Sequence, residues 1–137
     1  YYVKNYTIIM AKHVEMDERV KFKDQIEEKI DGSVIVIVKL NVEPDKVEQF
    51  VKDWAKDAAI FKKQPGFIST QLHKGIGKSS VFIMYEVWES IEQYKNAVKT
   101  LIFSSETQSP LMKYDNNSLV ISAHAFKKIA VPGICLN

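Results

Sequence analysis

The sequence predicts an α+β fold. It reads as a ferredoxin-like βαββαβ unit of residues 33–137, behind an extension of residues 1–32 that carries one strand and one helix. Three observations carry this reading. After Gly32, strand-like and helix-like segments follow one another in the order β-α-β-β-α-β. The two middle strands meet at a glycine hairpin, Gly75-Ile76-Gly77-Lys78. The first strand of the unit, Val34 to Asn41, is apolar on both faces, with Val34, Val36 and Val38 on one and Ile35 and Ile37 on the other. Apolar residues on both faces mean that both are covered.

Each element has its own warrant. Tyr6 to Met10 is strand-like, and Asp17 to Ile30 is a charged helical segment with Phe22, Ile26 and Ile30 at four-residue spacing. Val34 to Asn41 is rich in β-branched residues. Pro44 sits where a first helical turn accepts it. From there Val47, Phe50, Val51, Trp54, Ala58 and Phe61 recur at helical spacing, opposite a polar side of Lys46, Lys52, Asp53, Lys56 and Asp57. Gln64-Pro65-Gly66 stops that helix. Phe67 to Lys74 and Val81 to Trp88 are the hairpin strands. Ser90 and Gln93 form a capping box, and Tyr94, Val98 and Leu101 continue the helix it starts. Phe103 to Tyr114 reads as a short or broken helix, Asp115-Asn116-Asn117 as a turn, and Leu119 to Ile129 as the last strand.

The chain has 137 residues, a net charge of +2 and one cysteine. This is one domain's worth of sequence. The small positive excess is spread along the chain and makes no nucleic-acid footprint. No apolar run approaches the ~20 residues that cross a bilayer. Cys135 alone forms no intramolecular disulfide and no cysteine-based zinc site. The expected setting is cytoplasmic, with removal of a leader ahead of Tyr1 left open. Both helices of a βαββαβ unit lie on one sheet face. Covering ~600 Å² of apolar area on the other would contribute about 15 kcal/mol of gross burial. A second copy of the chain is the simplest cover, and the N-terminal 32 residues are the rival one.

The segment from Lys62 to Ser90 resembles the antibiotic biosynthesis monooxygenase (ABM) domain family. The resemblance rests on Pro65-Gly66-Phe67 and Ser69 opening one strand, Leu72-His73 ending it, and Val87-Trp88-Glu89-Ser90 ending the next. The tail from Phe126 to Cys135 is similar to the ending of some uncharacterised members. The resemblance implies a ferredoxin-like unit that pairs into a dimeric α/β barrel, with a pocket between sheet and helices or in the barrel. It also implies a range of activities: cofactor-independent oxidation of aromatic polyketides, quinol oxidation, heme degradation and isomerisation of a signal molecule. In heme-degrading members a tryptophan on the second helix and a histidine beyond it carry the chemistry. Those positions fall near Ala97 and Thr107 here, so the resemblance argues against heme.

Strand alternation nominates site residues. Phe67, Ser69, Gln71 and His73 share one face of their strand; Phe82, Met84, Glu86 and Trp88 share another; Val120, Ser122, His124 and Phe126 a third. If those faces coincide, they line one pocket suited to a small, flat aromatic substrate. The coincidence is an assumption, because register is not written in the sequence. A cofactor-free oxygenation needs a base, since a deprotonated phenol or quinol gives an electron to O2 more readily. His73 is the first choice and His124 the second. Each has a plain alternative, a solvated strand-end imidazole for His73 and a structural hydrogen bond for His124. Asn41 either polarises a substrate oxygen or starts the turn before Pro44. Trp54 and Trp88 are core residues or substrate walls, and Tyr85 is packing. His73, Glu86 and His124 have the residue types of a two-histidine-one-carboxylate iron site, without supporting spacing.

Two phosphate-binding patterns fail. Gly77-Lys78-Ser79 lacks the earlier glycine, where Leu72 stands, and Gly75-x-Gly77 lacks its third, where Ser80 stands. The leading expectation is therefore a homodimeric, cofactor-independent monooxygenase of a quinol or polycyclic phenol. His73 or His124 would be the base, and Ser69, Gln71, Met84, Glu86, Ser122, Trp88 and Asn41 would hold the substrate. The alternatives are a non-catalytic ligand-binding or stress-associated dimer, and an isomerase of a small carbonyl compound.

Overall fold

The computed structural model describes residues 2–3, 6–7, 11–103 and 109–135. Two short strands, β1 (Tyr2–Val3) and β2 (Tyr6–Thr7), form an antiparallel ribbon. The strands of the main sheet are β3 (Lys12–His13), β4 (Val34–Val42), β5 (Phe67–Lys74), β6 (Val81–Trp88) and β7 (Leu119–Phe126). Their order across the sheet is β3-β7-β4-β6-β5. All pairs are antiparallel except β3 with β7, which is parallel. The helices are α1 (Phe22–Gln25), α2 (Val47–Phe61) and α3 (Ile91–Phe103), with 3-10 turns at Pro44–Lys46 and Pro110–Lys113. Without β3 and α1, this is the expected ferredoxin-like arrangement.

The register settles which side chains share a face. Val36 lies opposite Glu86 and Ala125, and Val38 opposite Met84 and Ala123. These belong to the inner face, on which α2 and α3 pack. Val34, Val36, Val38, Leu40 and Val42 are all buried there, with Phe50, Phe82, Trp88, Tyr94 and Leu101. Ile37 lies opposite Tyr85 and His124, and Lys39 opposite Ile83 and Ser122. These make up the outer face, where Ile35 and Ile37 are half-buried and Tyr85 and Phe126 are exposed.

Several expectations need correction. Only Phe22–Gln25 of the segment 17–30 is helical. Asp17 turns the chain instead, its Oδ1 accepting the Arg19 amide at 2.9 Å, and no side chain caps the helix at Lys21. Phe22 and Ile26 are still buried, so tertiary packing uses the apolar spacing without a long helix. Of the expected strand 6–10, Tyr6–Thr7 pairs with β1 and residues 8–10 lie outside the described residues. β4 runs one residue further, to Val42, and β7 ends at Phe126, short of Ile129. Residues 104–108 of the expected broken helix also lie outside the described residues. Asp53 and Asp57 of α2 are buried, not on a solvated side. They face the 3-10 turn before β7, where Tyr114 Oη donates to Asp53 Oδ2 (2.8 Å) and Ser109 Oγ to Asp57 Oδ2 (2.7 Å).

The α2–β5 connection depends on Gly66. Its φ of +90° is one that side-chain-bearing residues rarely adopt, and a Cβ there would lie 2.4 Å from Gln93 Cδ. Gln93 is fixed by the capping box, in which Ser90 Oγ accepts the Gln93 amide (3.1 Å) and donates to Gln93 Oε1 (2.9 Å). Gly66→Ala is expected to destabilise the fold by about 1–3 kcal/mol, from backbone strain and the displaced Gln93. Urea unfolding checks this, and an unchanged midpoint would mean that the turn relaxes freely.

Candidate active site

A mostly enclosed, largely apolar cavity of about 30 Å³ lies on the inner face, under the N-terminal segment. Its walls include Trp54 from α2, Met84 from β6, Tyr94 from α3, Phe22 from α1, and His13 and Glu15 from the extension. Each wall residue has a sequence cause. Met84 belongs to the inner alternation of β6, with Phe82, Glu86 and Trp88. Trp54 lies one helical turn after Phe50, and its Nε1 points at Met84 Sδ (2.9 Å). His13 is held by parallel pairing, opposite Ile121 of β7, and the next residue extends the ladder through Val14 N to Ile121 O (2.9 Å). Glu15 turns the chain over the cavity, its Oε1 accepting the Phe22 amide at 2.8 Å. A volume of about 30 Å³ takes a water or a dioxygen molecule, whereas a cavity of about 150 Å³ takes up benzene. An aromatic ring therefore enters only if the chain between Val14 and Phe22 shifts.

Burial sets the electrostatics on the inner face. Burial lowers the His13 imidazole to about 4, so it is uncharged at neutral pH. Burial raises the Tyr94 phenol well above its ordinary value, and the nearby Glu86 carboxylate adds to this. Glu86 is 1% exposed. Burial pushes its carboxyl up to about 7, against the opposing effect of the hydrogen bond from Trp88 Nε1 to Glu86 Oε1 (2.9 Å), and the Asp57 charge raises it further. Glu86 Oε2 and Thr70 Oγ1, on directly opposed residues of β6 and β5, are both buried without a hydrogen-bond partner among the described residues.

The residues nominated from sequence divide between the two sheet faces. Met84, Glu86 and Trp88 point inward. Of these only Met84 lines the cavity; Trp88 is enclosed by the rings of Phe67, Tyr94 and Phe61 at 5.4, 5.6 and 5.9 Å. Ser69, Gln71, His73, Asn41, Ser122 and His124 belong to the outer face. The assumed single pocket is corrected accordingly. A bulge at Phe67–Ser69 interrupts the alternation of β5, so Phe67, Thr70 and Leu72 face inward and Ser69, Gln71 and His73 outward. His73, Glu86 and His124 consequently do not converge, and no group of three metal-ligating side chains occurs among the described residues. Asn41 is within β4, paired with Val81 and Val120, rather than in the turn. His124 accepts from Gln25 Nε2 (3.2 Å) and stacks edge-on with Phe126 at 5.1 Å. Ala97 is buried within α3, and Thr107 lies outside the described residues. His13 and Glu15 escaped the sequence reading because a two-residue strand shows no periodicity. Their only signal is an alternating pair of titratable residues around Val14.

The antibiotic biosynthesis monooxygenase family model matches residues 33–105. Among curated proteins none matches the sequence. Solved structures share the fold. A provisionally assigned monooxygenase from Shewanella loihica is 21% identical, with a TM-score of 0.60 over 75% of this chain and 100% of that one. SnoaB, a cofactor-independent oxygenase from Streptomyces nogalater, is 17% identical, with a TM-score of 0.58 over 74% and 98%. A heme-degrading protein from Mycobacterium tuberculosis is 18% identical, with a TM-score of 0.52 over 74% and 99%. No helix among the described residues is long and apolar enough to cross a membrane.

Glu86 gives the fold a defined pH dependence. Between its ordinary 4.5 and about 7 the folded chain keeps a proton that the unfolded chain has released, so this contribution to stability is lost as pH rises through that window. Glu86→Gln keeps the shape and removes the charge. It is expected to stabilise the fold by about 1–3 kcal/mol at pH 8, with a much smaller effect at pH 4.5. Thermal unfolding at both pH values measures this, and an equal shift at both would show that Glu86 does not titrate near 7.

Proposed function

The chain belongs to the antibiotic biosynthesis monooxygenase family, and from that premise we propose that it is a cofactor-independent monooxygenase acting on a quinol or polycyclic phenol, and that it works as a homodimer. The observation that carries the reading is the inner-face cavity, an apolar chamber whose few polar groups include an imidazole, a carboxylate and a phenol. The reaction needs no outside reductant. A hydroquinone and O2 give a hydroxyquinone and water: one oxygen atom enters the ring, the other leaves as water, and the four electrons lost by the ring reduce the dioxygen. The protein's part is to exclude water, hold the ring and take a hydroxyl proton. A largely apolar cavity of dioxygen size suits the co-substrate.

The homodimer is supported by the outer face. Ile35, Ile37, Ile83, Val87 and Phe126 form an apolar surface that no helix among the described residues covers. A second copy would remove that surface from water. His73 and His124 belong to this face, so in this reading they border the subunit contact rather than the ring. A non-catalytic ligand-binding role is the second reading, favoured by the small closed volume of the cavity.

Oxygen uptake with 1,4-naphthalenediol is expected above autoxidation, with one labelled atom from ¹⁸O2 in the quinone product. Binding of the diol with no uptake would favour the second reading, and product formed without oxygen would favour an isomerase. Ile37→Glu, at the centre of the outer face, is expected to convert the dimer to monomer in light scattering. A particle of unchanged double mass would place the subunit contact elsewhere.

A further inference from the structure

We propose that His13, carried by the N-terminal extension outside the family unit, is the proton acceptor of the site, and that the phenolic hydroxyl of the substrate lies against its ring. The inference rests on the oxygenase reading and assigns the base that the reading requires.

His13 is the only one of the three histidines on the cavity wall; His73 and His124 belong to the other sheet face. Its backbone is part of the sheet, as β3 pairs with β7 and Val14 N bonds to Ile121 O at 2.9 Å. The imidazole thus stands on a fixed strand, while the segment that must shift to admit a ring begins after it. The matched family unit starts at residue 33, twenty positions later, so the extension adds this group to the pocket.

Burial keeps the imidazole uncharged at neutral pH and leaves it a weak base. A weak base suffices. When the bound ring passes an electron to O2, the oxidised phenol becomes a far stronger acid than the phenol was. The O–H bond then breaks with its electron pair staying on the phenol oxygen, and the proton forms an N–H bond on His13. Glu15, two residues on, lines the same wall.

Two measurements test this. In the first, 1-naphthol is titrated under nitrogen into the full chain, and the ring resonances of all three histidines are followed by NMR. Those of His13 are expected to move with saturation while those of His73 and His124 stay. Movement at His73 or His124 alone, or no movement, overturns the placement. The second is oxygen uptake with 1,4-naphthalenediol. His13→Ala is expected to lose at least a hundredfold in turnover, and added imidazole to restore at least a tenth of it through the space left by the ring. His13→Asn repeats the comparison if the alanine variant does not fold, with a loss of at least a hundredfold again expected. Uptake within threefold of wild type in a folded variant, or a loss that imidazole does not relieve in folded His13→Ala, overturns the role as proton acceptor. Absent uptake in the wild type instead removes the oxygenase reading, and the NMR titration then decides by itself whether His13 faces the ligand.

Discussion

The double pairing of β4 is the constraint on which the rest depends. This nine-residue strand is hydrogen-bonded along its length to β6 on one side and β7 on the other. Its alternation then assigns every residue of both neighbours to a face. On the inner side Val34, Val36, Val38, Leu40 and Val42 are buried under α2 and α3. On the outer side Ile35 and Ile37 are only half-buried. A shift of one residue in this pairing would exchange the two sets and place Lys39 and Asn41 in the core. The strand wall of the cavity, the inward place of Glu86 and the apolar outer face all follow from this one register.

The inner face also encloses charge. Asp53, Asp57 and Glu86 lie at 6%, 1% and 1% exposure. Buried carboxylates are tolerated where donors meet them, and Tyr114, Gln49, Ser109 and Trp88 do so here. Glu86 Oε2 has no hydrogen-bond partner among the described residues, and burial favours the protonated carboxyl.

Much of the fold was legible in the sequence because its elements have clear periods. β4 alternates, α2 and α3 carry apolar stripes, and Gly66 and the Ser90–Gln93 box mark where the chain turns. What failed was set by contacts between distant residues. The apolar spacing of Phe22 and Ile26 suggested a long helix, whereas burial against the core holds them in a single helical turn. Asp53 and Asp57 looked like a solvated side of α2 because their partners, Tyr114 and Ser109, lie more than fifty residues away. The candidate site was the least legible part. One bulge reverses the face of β5, and His13 reaches the cavity only by pairing with Ile121, over a hundred residues along the chain.

Gln25 has a wider significance than its place in a four-residue helix suggests. β3 covers only the start of β7, at Val120 and Ile121. Beyond it the Gln25 side chain imitates a neighbouring strand, accepting from Ala125 N at 2.9 Å and donating to Ala125 O at 3.0 Å. A bare margin at that point would invite the ribbons of other molecules to stack on without end. One carboxamide thus acts as a selvedge on the β7 side of the sheet.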